Sequence, residues 1–300
     1  METKQEHKGA IITLGAGILW GFSGCCSQYI FDNYTIPPLN LTVLRLVTAG
    51  LILVIMGFIK SGKSMLDIWK DRVSAAQLII FSLIGLTLCQ LSYMIAIQET
   101  NSGTATVLQY VGPVFIVIAS CFLNHKLPSK KEIFSITLTA IGVFLIATEG
   151  NFHTMVITTK GLIWGLISAF ALMFNNILPQ KILEKYGSIT VTGYAMLMGG
   201  IVLGIFSGSY KEHLSIDLKF ILAFLGIAIL GTVISFTAYL YGLSLCGPVK
   251  ASMLSSIEPV SATVIMMLWL KVPLHPVTIL GFAFIIITII ILTRPEKNPQ

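Results

Sequence analysis

Charge is the property that this sequence lacks most. Lysine, arginine, aspartate and glutamate make up only 11% of the 300 residues, whereas soluble proteins average about 25%. Apolar residues make up 55%, and the mean hydropathy is +0.87. Apolar runs of about 20 residues, long enough to cross a bilayer, recur along the chain. The composition therefore excludes a soluble globular domain and predicts an all-α, multi-pass membrane protein whose partner is the lipid bilayer.

Patterns that build metal centres or hydrolytic sites are also missing. All five histidines lie in the termini or in predicted loops, and the five cysteines lie within or beside apolar runs. Neither set has the spacing of zinc ligands, and an odd number of lipid-level cysteines argues against a disulfide framework. The sequence thus predicts no metal, no cofactor and no enzyme, with the cysteines as small buried apolar residues. The net charge of +6 reflects membrane topology, so no nucleic-acid partner is expected.

Polar clusters divide the chain into ten predicted spans. The predicted bounds are 9–31, 38–59, 74–97, 101–122, 132–149, 159–179, 189–208, 218–244, 249–269 and 276–293. The longest connection runs from Lys60 to Arg72 and has room for one interfacial turn at Leu66–Trp69. With the N-terminus inside, fourteen of the nineteen basic residues lie on the inner side and four on the outer side. This bias predicts that both termini are cytoplasmic and that the protein lies in a cell membrane.

The sequence contains an internal repeat. A constant offset of 146 residues aligns Gly85 with Gly231, Tyr93 with Tyr239, Leu108 with Leu254 and Pro113 with Pro259. Near the start of each half, an offset of 144 places Gly17–Gly21 over Gly161–Gly165. Each half holds five spans, an odd number, so the second half enters the membrane from the opposite face. We therefore predict two inverted five-helix repeats, at 1–150 and 151–300, joined through 151–158, as in secondary transporters.

The most informative single residue is Glu258, near the middle of the ninth span. A charge at that depth costs about 2.5–3.5 kcal/mol, so the carboxylate should face a cavity or a partner. Pro259 follows it and frees a backbone carbonyl that only protein or water can satisfy at that depth. The pair predicts a polar site at mid-membrane, and Glu258 is the candidate for proton coupling. A structural, hydrogen-bonded acid is the alternative.

Further site candidates share helix faces with Glu258 or are repeat mates of each other. Ser255 lies one turn before Glu258, and Gln109 occupies the equivalent face in the first half. The repeat mates Tyr93 and Tyr239 lie inside spans three and eight, which is typical of a cavity wall. The remaining candidates are Gln90 and Phe236 beside these tyrosines, Trp20, whose glycine flank fits close helix packing or a gate, and Tyr110, which could form an interhelical contact.

Arg45 is a second charge inside a span, about two turns from its start. The first interpretation is that its side chain extends outward to the headgroups. The alternative is that it faces an acid or a substrate carboxylate.

The chain resembles the ten-span EamA group of the drug/metabolite transporter superfamily. The resemblance rests on the duplicated five-span unit and on motifs in a fixed order. These are Trp20-Gly21 with Trp164-Gly165, Arg45-Leu46, Tyr93 to Ala96 with Tyr239 to Gly242, and Pro113-Val114 with Glu258-Pro259-Val260. It implies a carrier of the inner or plasma membrane that works by alternating access and usually exports amino acids, related metabolites or toxic organic compounds.

Residues and resemblance together predict a secondary exporter of small amphipathic metabolites, with amino acids or relatives as the first expectation. Its partners would be a small-molecule substrate and protons as a possible coupling ion, whereas the oligomeric state is not determined by the sequence. Tyr93, Tyr239, Phe236 and Trp20 would hold the apolar part of the substrate, and Gln90, Gln109, Ser255 and Glu258 would orient its polar end. The alternatives are an uptake carrier for a cationic or sugar-like metabolite, and a non-transporting structural or sensory subunit.

Overall fold

The computed structural model describes residues 4–123, 127–151, 156–207, 216–246, 251 and 254–293. Within these ranges every regular element is a helix. We number the apolar helices in chain order: α1 Lys4–Asn33, α2 Pro38–Ser61, α3 Arg72–Glu99, α4 in two parts, Ser102–Gln109 and Gly112–Leu123, α5 Lys130–Thr148, α6 Thr159–Ile177, α7 Ser188–Ser207, α8 Leu218–Cys246, α9 Ile257–Leu270 and α10 Pro276–Thr293.

These helices correspond one to one with the ten predicted spans. By length and composition, eight of the described helices are suited to crossing a membrane, and α9 and α10 are shorter apolar helices. The predicted start of the ninth span, at 249–250, lies outside the described residues, as do 152–155 of the predicted joint. The predicted boundary between the halves at residue 150 therefore stays a prediction.

Short surface helices occupy two connections. The segment after α2 contains a 3-10 turn, Gly62–Leu66, and one helical turn, Asp67–Lys70. Leu66 and Trp69 are exposed there, as expected for a turn at the membrane interface. A seven-residue helix, Gln180–Tyr186, connects α6 to α7 and was not predicted.

The helix contacts have the symmetry of a duplicated unit. Helix α1 packs on α8 and α9, and its repeat mate α6 packs on α3 and α4. The other main interfaces, α2 with α7 and α5 with α10, each join a helix to its own repeat mate. If each helix is replaced by its repeat mate, the same set of helix contacts results. Since each half crosses the membrane an odd number of times, the halves are oppositely oriented.

Glycines allow the closest contacts between the halves. A Cβ atom added to Gly21 of α1 would lie 2.2 Å from Ser261 Oγ and 2.6 Å from the backbone nitrogen of Ala262, both in α9. In the other half, a Cβ atom on Gly165 would lie 2.7 Å from Leu108 of α4. The glycine of each Trp-Gly pair therefore serves close helix packing, as small residues commonly do in membranes.

Buried apolar side chains form three clusters rather than one. The first lies among α1, α2, α3, α4 and α8, the second among α2, α3, α7 and α8, and the third among α4, α5, α6 and α10. Each cluster joins helices of both halves, so the apolar contacts hold the two repeats together.

Two equivalent stretches depart from α-helical geometry. Phe81–Thr87 in α3 and Gly226–Ile234 in α8 are π-helical, and the repeat offset superimposes them through Gly85 and Gly231. Such wide turns release backbone carbonyls and are frequent at functional sites. The stretch in α8 positions a residue of the site described next.

Candidate functional site

The fourth helix of each half is interrupted at the same repeat position. In α4 a turn at Tyr110 and Val111 precedes Gly112-Pro113. In the second half a turn at Ser256 directly precedes α9, whose first residues are Ile257, Glu258 and Pro259. Proline cannot donate a hydrogen bond to the carbonyl four residues earlier, so each proline frees one carbonyl beside the break. Two broken helices thus place polar backbone at equivalent points of the two halves, as in many secondary transporters.

A tyrosine of the first half contacts the acid of the second half. The Tyr110 hydroxyl lies 2.8 Å from Glu258 Oε2 and 3.3 Å from the carbonyl oxygen of Ser255. That carbonyl is the one freed by Pro259. A phenol has one proton to donate, and the shorter contact directs it to the carboxylate. Tyr110 therefore joins the two broken helices through an interhelical contact, which was one sequence interpretation of this residue.

Glu258 itself is half-buried and lies in the first turn of α9. The N-terminal end of a helix carries a partial positive charge, which stabilises a carboxylate there. Oε2 accepts the Tyr110 hydrogen bond, and no other protein partner of the carboxylate lies within the described ranges. The second oxygen can accept a proton or a cationic group.

Arg45 is buried against the second half. Its side chain is 5% exposed, and its Nε donates to Thr232 Oγ1 at 3.1 Å. The Thr232 hydroxyl in turn donates to the carbonyl of Ile227, five residues earlier in the π-helical stretch, at 2.8 Å. Arg45 is also close enough to Glu258 to interact with it electrostatically. The first interpretation, a side chain extending to the headgroups, is wrong.

Three predicted aromatic residues form one cluster. The Trp20 ring lies 5.4 Å from the Phe236 ring in an edge-on arrangement and 5.3 Å from the Tyr239 ring. All three side chains are half-buried, so the cluster has an accessible apolar surface. Trp20 comes from α1 and the other two from α8, so the cluster extends across the interface between the halves.

Among the other predicted residues, Tyr93 and Gln109 make interhelical hydrogen bonds. Tyr93 is only 6% exposed and its hydroxyl lies 2.7 Å from Thr106 Oγ1, so it belongs to the packed core. Gln109 donates to Ser168 Oγ at 2.7 Å and is half-buried, as are Gln90 and Ser255. Direct substrate contact by these four residues stays a prediction.

Sequence reasoning did not single out two buried polar residues, Thr232 and Gln28, each of which hydrogen-bonds to a residue of another helix. Thr232, which holds Arg45, lay only among the neighbours of Tyr239. Gln28 of α1 is buried and accepts hydrogen bonds from the backbone nitrogen and the hydroxyl of Ser102, both at 2.8 Å. A polar side chain inside an apolar span was the available signal for both. Among the described residues, no group of three or more potential ligands could hold a metal ion, and all five cysteines are free.

Ion pairs between the two halves lie at both ends of α3. Before its start, Asp71 forms an ion pair with Lys185 at 2.9 Å, and at its end Glu99 pairs with Lys160 at 2.6 Å. The Lys185 ammonium holds the pKa of Asp71 well below its usual range, helped by the Ser74 hydroxyl. Near the second of these ends the Tyr34 hydroxyl donates to Asp217.

Two open cavities, of about 500 and 530 Å³, lie beside connecting segments. The first is lined by the loop between α1 and α2, and the second by residues near Asp71 and Lys185. Neither is lined by a residue predicted for the site. We take as the candidate site the half-buried side chains of Glu258 and of the Trp20 cluster, which lie at contacts between the two halves.

Comparison with known proteins adds independent findings. The model of the EamA-like transporter family matches residues 7–148 and 159–294, one match in each half. The chain is 36% identical over 292 residues to the uncharacterized inner membrane transporter YicL of Salmonella typhimurium, covering 97% of each chain. An uncharacterized transporter of Archaeoglobus fulgidus is 24% identical, with coverage of 92% of this chain and 95% of the relative.

A solved crystal structure has the same fold. It superimposes with a TM-score of 0.64 over 95% of this chain and 96% of its own, at 16% sequence identity. At that identity the likeness concerns the fold alone.

Proposed function

Because the chain belongs to the EamA-like transporter family, we propose that it is a secondary active exporter of small amphipathic metabolites, with amino acids or related compounds as the first class to test. That it is a multi-pass membrane transporter follows from the family and its relatives. Substrate class, direction and mechanism are the proposal. The observation that supports the substrate class and the mechanism is the half-buried Glu258 at two broken helices, hydrogen-bonded by Tyr110 from the opposite half. Export is proposed because it is the usual direction of the carriers that the chain resembles.

The side chains around Glu258 suit a substrate with one cationic and one apolar part. An ammonium group would bind the free oxygen of Glu258 through a charge-assisted hydrogen bond. The apolar part would lie against the accessible faces of Trp20, Phe236 and Tyr239, where ammonium groups also benefit from the ring quadrupole. A site of this kind supports binding, and its residues do not supply a nucleophile with a base, so we infer that the protein is not an enzyme.

Alternating access fits the symmetric contacts between the halves. Exposing the site to one side requires the contacts at that end to open, while those at the other end stay closed. The Asp71–Lys185 pair is available as a closing contact at one end and the Glu99–Lys160 pair at the other. Exposed ion pairs of this type are weak, so these two pairs add little to the cost of opening either end.

Proton coupling is tested through Glu258. Glu258→Gln keeps the shape and the hydrogen-bond acceptor but removes the titratable charge. In proteoliposomes with an imposed pH gradient, the variant should lose the proton-dependent component of transport. Glu184→Gln, a change at an exposed site on the short helix Gln180–Tyr186, is the matched control and should behave as wild type. If Glu258→Gln retains the wild-type pH dependence, Glu258 does not carry the coupling proton.

Accessibility labelling separates a carrier from a structural or sensory subunit. In a cysteine-free background, Ser255→Cys should react with a water-soluble thiol reagent, because position 255 is half-buried beside Glu258. Tyr93→Cys should react far more slowly, since that side chain is enclosed. Protection of both positions would mean that packing seals the interior, which contradicts a carrier.

The substrate and orientation need separate measurements. Retention of labelled amino acids, nucleosides and quaternary amines in expressing cells would identify the class, with accumulation rather than loss indicating uptake.

We propose that both termini are cytoplasmic, because fourteen basic residues then lie inside. Reporter fusions at the two ends test this, and reporters active on opposite sides would contradict it.

A further inference from the structure

The guanidinium of Arg45 is enclosed by protein and yet mostly unpartnered. The side chain is 5% exposed, and Nε is satisfied by Thr232. Within the described part of the chain, the two terminal nitrogens make no hydrogen bond. Buried guanidinium groups are normally paired, because an unpaired charge in a membrane interior is costly. The four remaining N–H donors are therefore available to water or to a ligand that is not part of the fold.

Glu258 has complementary free capacity. One of its oxygens accepts from Tyr110 and the other has no partner among the described residues. Arg45 and Glu258 attract each other electrostatically, but no ion pair joins them. Two opposite charges are thus held apart at the interface between the halves, each with unused hydrogen-bonding groups.

We propose that Arg45 is the anion-binding subsite of the transport site, where its terminal nitrogens bind the carboxylate, or a similar planar oxyanion, of a substrate whose cationic group binds Glu258. The proposal rests on the proposed transport function and adds a specificity residue to it. Guanidinium suits this role because its planar fork matches the two oxygens of a carboxylate.

Thr232 is the positioning residue for this subsite. Its hydroxyl hydrogen is engaged by the Ile227 carbonyl, so a lone pair of Oγ1 faces the Arg45 Nε. The long i to i−5 contact depends on the π-helical stretch of α8. This contact restrains the guanidinium through Nε and leaves the four N–H groups of the two terminal nitrogens for a ligand.

A purely structural role predicts a different result. If Arg45 only neutralises Glu258, its replacement will alter the transport of every substrate alike. If it binds a substrate anion, the loss will depend on whether the substrate carries that anion. Comparing ligands that differ in one charged group separates the two roles.

The experiment uses purified full-length protein in proteoliposomes and three probes that share one ring. Phenylalanine carries both charges, phenethylamine only the amine, and 3-phenylpropionate only the carboxylate. Arg45→Gln should lower the preference for phenylalanine over phenethylamine roughly 10- to 100-fold, the usual effect of losing a hydrogen bond to a charged group. Arg45→Lys should lower this preference less, because lysine keeps the positive charge but lacks the planar fork of the guanidinium. Arg72→Gln, at an exposed arginine, is the matched control and should leave the ratio unchanged.

An equal loss for phenylalanine and phenethylamine in Arg45→Gln would overturn the subsite and leave the transporter proposal intact. Lack of transport of all three probes by wild type would contradict the proposed substrate class instead. In that case the anion-binding subsite is tested by the rate of thiol modification, which needs no substrate, in a cysteine-free Ser255→Cys background. There the rate ratio for a sulfonate over a trimethylammonium thiosulfonate reagent should fall about 10-fold with Arg45→Gln, since the arginine attracts anions. An unchanged ratio would overturn the proposal.

Discussion

Replacing Tyr110 by phenylalanine removes one hydroxyl from the junction between the halves. The ring and its packing remain, while Glu258 Oε2 loses its donor at 2.8 Å and the Ser255 carbonyl loses a weaker contact at 3.3 Å. In a continuous helix the nitrogen of residue 259 would donate to that carbonyl, but the nitrogen of Pro259 carries no hydrogen. The change therefore isolates the polar link between the broken helices.

The expected magnitude is about 1–2 kcal/mol of unfolding free energy. Hydrogen bonds to charged groups are worth roughly 1.5–3 kcal/mol in soluble proteins. Interhelical hydrogen bonds in membranes average about 0.6 kcal/mol and reach about 1.7 kcal/mol. The short contact to a carboxylate belongs at the upper end of the membrane range, and the 3.3 Å contact adds little. Because the carboxylate is half-buried, water replaces part of the loss.

A double-mutant cycle with Glu258→Gln measures the link directly. Unfolding free energies of wild type, both single variants and the double variant would be obtained by denaturant titration in mixed micelles. The coupling energy should be about 1 kcal/mol, a value typical of residues in contact. Tyr241→Phe, at a half-exposed tyrosine, is the control and should change stability by less than about 0.5 kcal/mol. A coupling energy indistinguishable from zero would refute the assignment of Tyr110 as the partner of Glu258.

Two further changes test the interfaces between the halves. Gly21→Ala should destabilise the protein by about 1–3 kcal/mol, because the new methyl group meets Ser261 and backbone atoms of α9; Gly15→Ala on the same helix meets no atom within 4 Å and should be neutral in the same unfolding assay. Since Lys185 lowers the pKa of Asp71, the stabilisation from this carboxyl is complete at neutral pH and is lost on acidification below about pH 4, where the unfolded chain begins to bind the proton. Lys185→Met should therefore flatten the acid limb of the Tm–pH curve, and an unchanged acid limb would mean that the pair contributes nothing.

The sequence alone determined the class of fold. Membrane spans are set by the length of an apolar run, and a repeat is visible as a constant offset, so both are local properties of the chain. The interruptions at α4 and α9 could also be anticipated from the sequence, because Pro113 and Pro259 lie beside them and proline removes a backbone donor whatever surrounds the helix. For the same reason the sequence singled out Glu258 as a site candidate, since an acid in an apolar span is conspicuous without any knowledge of its neighbours.

Only the tertiary structure decided what these groups contact. Tyr110 and Glu258 are 148 residues apart, and Arg45 and Thr232 are 187 apart; both pairs form because the two halves pack against each other. The orientation of Arg45 was misjudged from the sequence because lipid and protein interior are both apolar. The lipid-facing and protein-facing sides of α2 therefore carry similar apolar residues. The hydropathy pattern does not show to which side a long side chain such as that of Arg45 points. Packing of α2 against α7 and α8 settles it.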